Sequence, residues 1–219
     1  MGSNGDRGQM VMSYLTLRRT VGVLGVLLPV ILPLGVLVLG SSAAFQDSIS
    51  AYHGTVMRGV FVGVLSAIGV FLFSYVGYPP SDDKKPYDLS DNWAGNLAGA
   101  SAIGVALFPA TSDDGLVTAI HFVAAAILFL TLAYFSLHLF RKTGDSPSSE
   151  KLTRNKLYLV SGVTILVCVA LVPLYNLLPE GNEIASIKPV FWLESLALWA
   201  FGFAWFVKGD GLRRLNDPE

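Results

Sequence analysis

Six long apolar runs, separated by short polar segments that carry positive charge on alternate sides, constrain this chain more than any other feature. The runs are 21–40, 59–78, 93–110, 116–140, 157–178 and 189–207. Crossing the hydrocarbon of a bilayer takes about 20 apolar residues at about 1.5 Å rise each. Each run meets or approaches that length. In lipid every backbone N–H and C=O must find its partner inside the protein, so such runs fold as helices. The expectation is an all-α polytopic membrane protein, a compact bundle of six transmembrane helices. Residues 20–208 form that domain, 1–19 read as a flexible cytoplasmic leader, and 209–219 as a cytoplasmic tail.

Composition agrees. A soluble domain is about one quarter charged, whereas this chain is 14% charged and 53% hydrophobic. The first run is longer than the apolar core of a signal peptide, and Gly40-Ser41-Ser42-Ala43-Ala44 is a weak cleavage site, so it reads as a retained span. Asp6 stands where a myristoylation signal carries Ser or Thr.

With the N-terminus inside, thirteen of the 15 Lys and Arg residues fall on inner segments, and only Arg58 and Lys188 fall outside. Over loops this short, that bias sets orientation. Both termini are expected in the cytoplasm and the protein in the cell membrane. The inner loops 79–91 and 141–155 mix charges with turn residues and read as solvated connectors, with nothing that suits nucleic acid. Cys168 stands alone in the fifth run, which excludes a disulfide framework and fits a small packed thiol.

Pro29 and Pro33 predict a kink in the first span, and Pro173 a bend in the fifth. Gly59, Gly63 and Ala67 recur every four residues, as do Gly95 and Gly99. Small residues at that spacing let helices approach closely in lipid. They predict a tight antiparallel hairpin of the second and third spans and offer a route to a homo-oligomer. Asn96 is expected to bond across to another helix, and Asp113 or Asp114 to cap the fourth span. Tyr78, Trp93, Tyr158, Tyr175, Trp192 and Trp205 read as anchors at the bilayer edges.

Ionisable groups inside a membrane are costly and mark functional sites by default. Glu194 lies six residues past Lys188 and His121 seven past Asp114, each about 9–10 Å below the outer edge. Arg58 heads the second span, with His53 and Asp47 just before it. These five residues are the candidate site, and three readings fit them. Glu194 and Arg58 form a structural ion pair with His121 hydrogen-bonded beside it. Alternatively, a polar pocket takes a lipid headgroup or another amphiphile, with membrane lipids as the partners. In the third, His53, His121 and Glu194 hold zinc, since zinc takes His and carboxylate ligands. No His-x-x-x-His spacing supports a metal, so no cofactor is favoured. His138 lies at the inner end of the fourth span, too far to join.

Three stretches carry a resemblance: Ser48-Ile49-Ser50-Ala51-Tyr52-His53 with Met57-Arg58, Asn96-Leu97-Ala98-Gly99 leading to Ile103–Phe108, and Ile120-His121 running into Ala124-Ala125-Ala126. Their order resembles small six-span proteins of the DUF998 type and, more distantly, the Frag1/DRAM/Sfk1 group. The resemblance implies six helices with the N-terminus inside and, through the distant relatives, a role around lipid. Membrane hydrolases related to alkaline ceramidases differ. They have seven spans, a Ser-x-x-x-His and a final His-x-x-x-His, whereas here Ile49 stands four before His53 and the last span has no His. The expectation is therefore a non-enzymatic protein with an outward-facing polar pocket for lipid or another amphiphile. A metal-dependent hydrolase of the outer leaflet and a structural or partner-binding protein are the alternatives.

Overall fold

The computed structural model describes residues 4–39, 44–77, 90–143, 146–179, 183–212 and 215, with backbone alone over 4–13. Tyr78, most of the inner loop with Lys84 and Lys85, the Gly40–Ala43 stretch, and Arg213 and Arg214 lie outside the described residues. Among the described residues the fold is all-α. The helices are α1 (Asn4–Val38), α2 (Arg58–Phe73), α3 (Asp91–Leu107), α4 (Gly115–Tyr134), α5 (Ser149–Tyr175) and α6 (Pro189–Lys208). Short 3-10 turns occupy Ser50–Gly54 and Glu183–Ile187, and one π turn, Phe135–Leu139, prolongs α4.

Local chemistry sets where the helices begin. Ser90 Oγ accepts from Trp93 N–H, Asp114 Oδ1 from Leu116 N–H, and Ser148 Oγ from Lys151 N–H, at 3.2, 2.8 and 3.0 Å. Each satisfies an amide that the helix leaves without a partner. Of the two expected caps for α4, Asp114 is the one that acts. α6 has no side-chain cap; Pro189 at its start lacks the N–H that would need one. α1 begins at Asn4 and runs as one helix through Pro29 and Pro33, so residues 4–19, expected as a leader, are helical. The end of that stretch makes tertiary contacts: Arg18 Nη1 donates to the Lys208 carbonyl at 3.4 Å, and Arg19 Nε to that of Gly209 at 2.5 Å. α1 is thereby tied to the end of α6.

Helices adjacent in sequence pack side by side, and α6 closes the ring against α1. The closest approaches use glycine. A Cβ at Gly99 would meet the Gly69 carbonyl at 2.7 Å, and one at Gly69 would meet that of Gly99 at 2.9 Å. The α2–α3 hairpin is tight, as expected, but by a different face of α2. A Cβ at Gly59 or Gly63 would meet no other part of the bundle within 4 Å. A four-residue repeat marks a stripe on a helix without saying what the stripe faces, and Gly69 is out of register with it. A second close pair went unread: Gly22 of α1 and Gly202 of α6 would each drive a Cβ into the other's carbonyl, at 2.6 and 2.5 Å.

Four helical stretches, Tyr14–Val38, Gly115–Leu139, Ser149–Tyr175 and Pro189–Lys208, are long and apolar enough to cross a membrane. α2 and α3 have 16 and 17 residues, or about 24 and 26 Å. Large apolar side chains face outward along the bundle, Leu34, Val70, Val123 and Val160 among them. A continuous apolar exterior is the mark of an integral membrane protein.

The end of the bundle where α1 meets the end of α6, called inner here because the charge bias expects it inside, is filled. Trp205 and Tyr158, expected at the bilayer edge, are each only 1% exposed. Trp205 meets Tyr75, Phe135 and Phe140 edge-on at 5.1, 5.4 and 5.3 Å, and Phe140 meets Tyr158 at 5.4 Å. Edge-to-face packing at these distances is the favoured aromatic geometry. Trp93 and Trp192 do point outward. Asp91, the first residue of α3, is buried between Lys142, whose Nζ lies 2.7 Å away, and Gly77. Gly77 has φ +67°, and a Cβ there would overlap Asp91. Asn96, half-buried, bonds Asn92 one turn back in its own helix rather than another helix.

Candidate functional site

Residues 44–57 cross the opposite end of the bundle, the one expected outside, as a strap rather than a free loop. The Tyr52 hydroxyl donates to the Ala44 carbonyl at 2.6 Å, and burial pushes this phenol above its ordinary pKa. Phe45 packs edge-on against Phe191 and flat against Trp192. Phe191 N–H donates to the Asp47 carbonyl at 3.0 Å, and Lys188 Nζ pairs with the Asp47 carboxylate. These contacts bind the strap to the start of α6.

Glu194, one turn deeper on α6, completes the attachment. Its Oε2 accepts from Ile49 N–H at 2.6 Å and its Oε1 from Ser50 Oγ at 3.3 Å. Those groups open the 3-10 turn Ser50–Gly54, so the carboxyl caps the strap from inside. This corrects the expected Glu194–Arg58 ion pair. Arg58 is exposed at the head of α2 and makes no ion pair among the described residues. A buried carboxyl needs donors, and here amide and hydroxyl groups of the strap supply them at closer range than any cation.

His121 is 1% exposed. Its Nδ1 lies 2.6 Å from the Phe108 carbonyl. A carbonyl only accepts, so Nδ1 carries the proton. Phe108 ends α3, where helix carbonyls lack intrahelical partners. His121 therefore fastens α4 to the outer end of α3. His53 is buried against the edge of the Phe61 ring, 6.2 Å between centroids. Burial pushes its pKa below the usual imidazole value, and the charges of Arg58 and His121 push the same way.

Beneath the strap lies a cavity of about 960 Å³ between the outer halves of α4, α5 and α6. Asp47, Ser48, Ser50, Thr111, Asn176 and Lys188 line its outer rim, and His121 and Glu194 its upper wall. Below them the lining is apolar: Phe122, Ala125, Ala126 and Phe129 on α4, Cys168, Val169 and Val172 on α5, Leu193 and Ala197 on α6. α4 and α6 scarcely touch, which leaves the space open between them. Of the five candidate residues, the cavity brings together Glu194, His121 and Asp47. Arg58 and His53 lie outside its lining. Among the described residues no group of three His, Cys, Asp or Glu side chains is placed to hold a metal ion. The zinc set of His53, His121 and Glu194 is not assembled, because each of the three faces a different structural partner.

A family model described as a family of unknown function, DUF7103, matches residues 27–209. The chain belongs to the DUF7103 family. No curated protein and no solved structure matches it. The match in this DUF7103 protein takes in the strap, all the cavity-lining residues and Gly202, while Gly22 lies before it.

Sequence reasoning missed the apolar body of the DUF7103 cavity and the part played by Ser50 and Lys188. One signal was present. Ala124-Ala125-Ala126 removes side-chain volume from successive directions around α4; Ala124 packs inward, and the next two bound the cavity.

Proposed function

We propose that this chain is a six-span protein of the cell membrane, with both termini in the cytoplasm, and that its outer cavity holds a lipid or similar amphiphile. The short α2 and α3 count as spans in this reading. They form one close hairpin whose flanking residues extend the apolar length, and a bilayer thins locally around short helices at modest cost. The charge bias supports the orientation. Arg18, Arg19, Lys142 and Lys208 gather at one end of the bundle, with Arg58 and Lys188 at the other.

One observation carries the ligand class: the charged and hydrogen-bonding side chains line the rim and upper wall, and below them, at the depth of acyl chains, the lining is apolar. Its volume is that of a small-molecule site, commonly about 300–1,000 Å³. Binding is favoured over hydrolysis because the carboxyl and the imidazole in the wall, Glu194 and His121, already hold the strap and α3 in place. A catalytic acid or base must be able to exchange protons with a substrate.

The test is mass spectrometry of lipids that co-purify with the full chain. Ala125→Trp places an indole in the cavity and should abolish a retained lipid while leaving the protein monodisperse. Equal retention in the variant and the parent would refute the reading.

A further inference from the structure

The rim of the cavity carries one charge of each sign, Lys188 and Asp47, held as an ion pair between two outer connectors. The Asp47 side chain is 83% exposed and that of Lys188 36%. A pair this open is loosely held. A ligand can exchange into it only at a penalty, unless it returns a partner to each charge. The wall below offers a phosphate little, because the Glu194 oxygens are acceptors already engaged by Ile49 and Ser50. Deeper still, Ala125, Phe129, Val169 and Val172 present only apolar surface.

We infer that the cavity selects a zwitterionic phospholipid, with its phosphate at Lys188, its ammonium at Asp47 and an acyl chain along α4, α5 and α6. This rests on the reading of the cavity as a lipid site. An anionic headgroup satisfies Lys188 but leaves Asp47 unpaired beside a phosphate. A cationic amphiphile satisfies Asp47 and strands Lys188. The zwitterion exchanges the protein's ion pair for two, one charge against one.

Native mass spectrometry of the purified full chain, titrated with phosphatidylcholine or phosphatidylglycerol of identical acyl chains, tests the selection. Phosphatidylcholine should be retained about two- to fivefold more tightly, the range that one exposed ion pair supplies. Asp47→Lys should reverse the preference toward phosphatidylglycerol; the Asp47 carbonyl that receives Phe191 N–H is backbone and survives the change. Lys188 has a left-handed backbone, φ 55°, which Asn tolerates. Lys188→Asn should therefore weaken phosphatidylcholine without strengthening phosphatidylglycerol, and it reads the same rim if Asp47→Lys fails to fold. A parent protein that prefers phosphatidylglycerol, or charge variants that keep the parental preference, would overturn the selection and leave the lipid site standing. Retention of neither lipid, or undiminished retention of both in Ala125→Trp, would overturn the lipid site itself.

Discussion

The two ends of this bundle solve the same packing problem in opposite ways. At the inner end Trp205, Phe135, Phe140, Tyr75 and Tyr158 interlock, and Asp91 is buried with a cation beside it. At the outer end the helices α4 and α6 part, a cavity of about 960 Å³ remains, and a strap roofs it. Large aromatic side chains fill space where helix ends converge. The outer half instead sets alanine and valine, Ala125, Ala126, Val169, Val172 and Ala197, among the larger lining side chains, and the gap stays open. The inner end is therefore the close-packed one, and the outer end is the one that keeps a cavity.

Truncation should expose that division first. Trp205→Ala is expected to lose about 3–5 kcal/mol, the usual cost of deleting a buried large aromatic, read by unfolding in detergent. Phe122→Ala at the cavity wall should cost far less, because that side chain already borders open space. Comparable losses would break the contrast between the ends.

Helix approach comes next. Gly202→Val forces side-chain atoms into the Gly22 carbonyl, and overpacking of this kind costs about 1–3 kcal/mol or more. Gly63→Val meets open space and should be nearly neutral by the same measurement. A destabilising Gly63→Val would reveal a partner on that face, such as a second copy of the chain.

The strap is sharpened by Glu194. Glu194→Leu leaves Ile49 N–H and Ser50 Oγ without their acceptor and should cost about 1–3 kcal/mol. Glu194→Gln keeps one acceptor oxygen and should cost less. Protease sensitivity of the strap should rise in the same order, while Arg58→Gln changes neither. Equal sensitivity in Arg58→Gln and Glu194→Leu would restore the ion pair that the geometry denies.

The smallest effect is a slope with pH at the outer end. Burial lowers the His53 pKa from 6.5, so between the lowered value and 6.5 the unfolded chain binds more protons than the folded one. Stability should then fall as pH drops through 6.5, levelling off below the folded pKa. His53→Gln should flatten that part of the profile, and an unchanged slope would assign it elsewhere.

How much of this could be read beforehand depended on how local the signal was. The caps at Ser148 and Asp114 are short-range, and Asp114 was one of two caps foreseen. The Gly95 and Gly99 spacing predicted a close hairpin, yet its partner on α2 was misassigned, because helical phase alone does not say which face meets a neighbour. Glu194 and His121 were recognised as special from their depth. Their partners were not, because a side chain at a known depth can still turn toward any of several groups around the helix.

By itself the sequence determined the helical, membrane-embedded character of the chain, since that follows from run length and from the energy of unpaired backbone in lipid, both additive along the chain. The charge bias, likewise a simple count, supports the orientation. Only the tertiary structure decided that Trp205 is core and not an anchor, that Gly22 meets Gly202, and that Glu194 caps a strap instead of pairing with Arg58. The cavity belongs to the same class. It is the volume left over when six helices settle against one another, and a remainder of that kind is set by the relative positions of elements far apart in sequence.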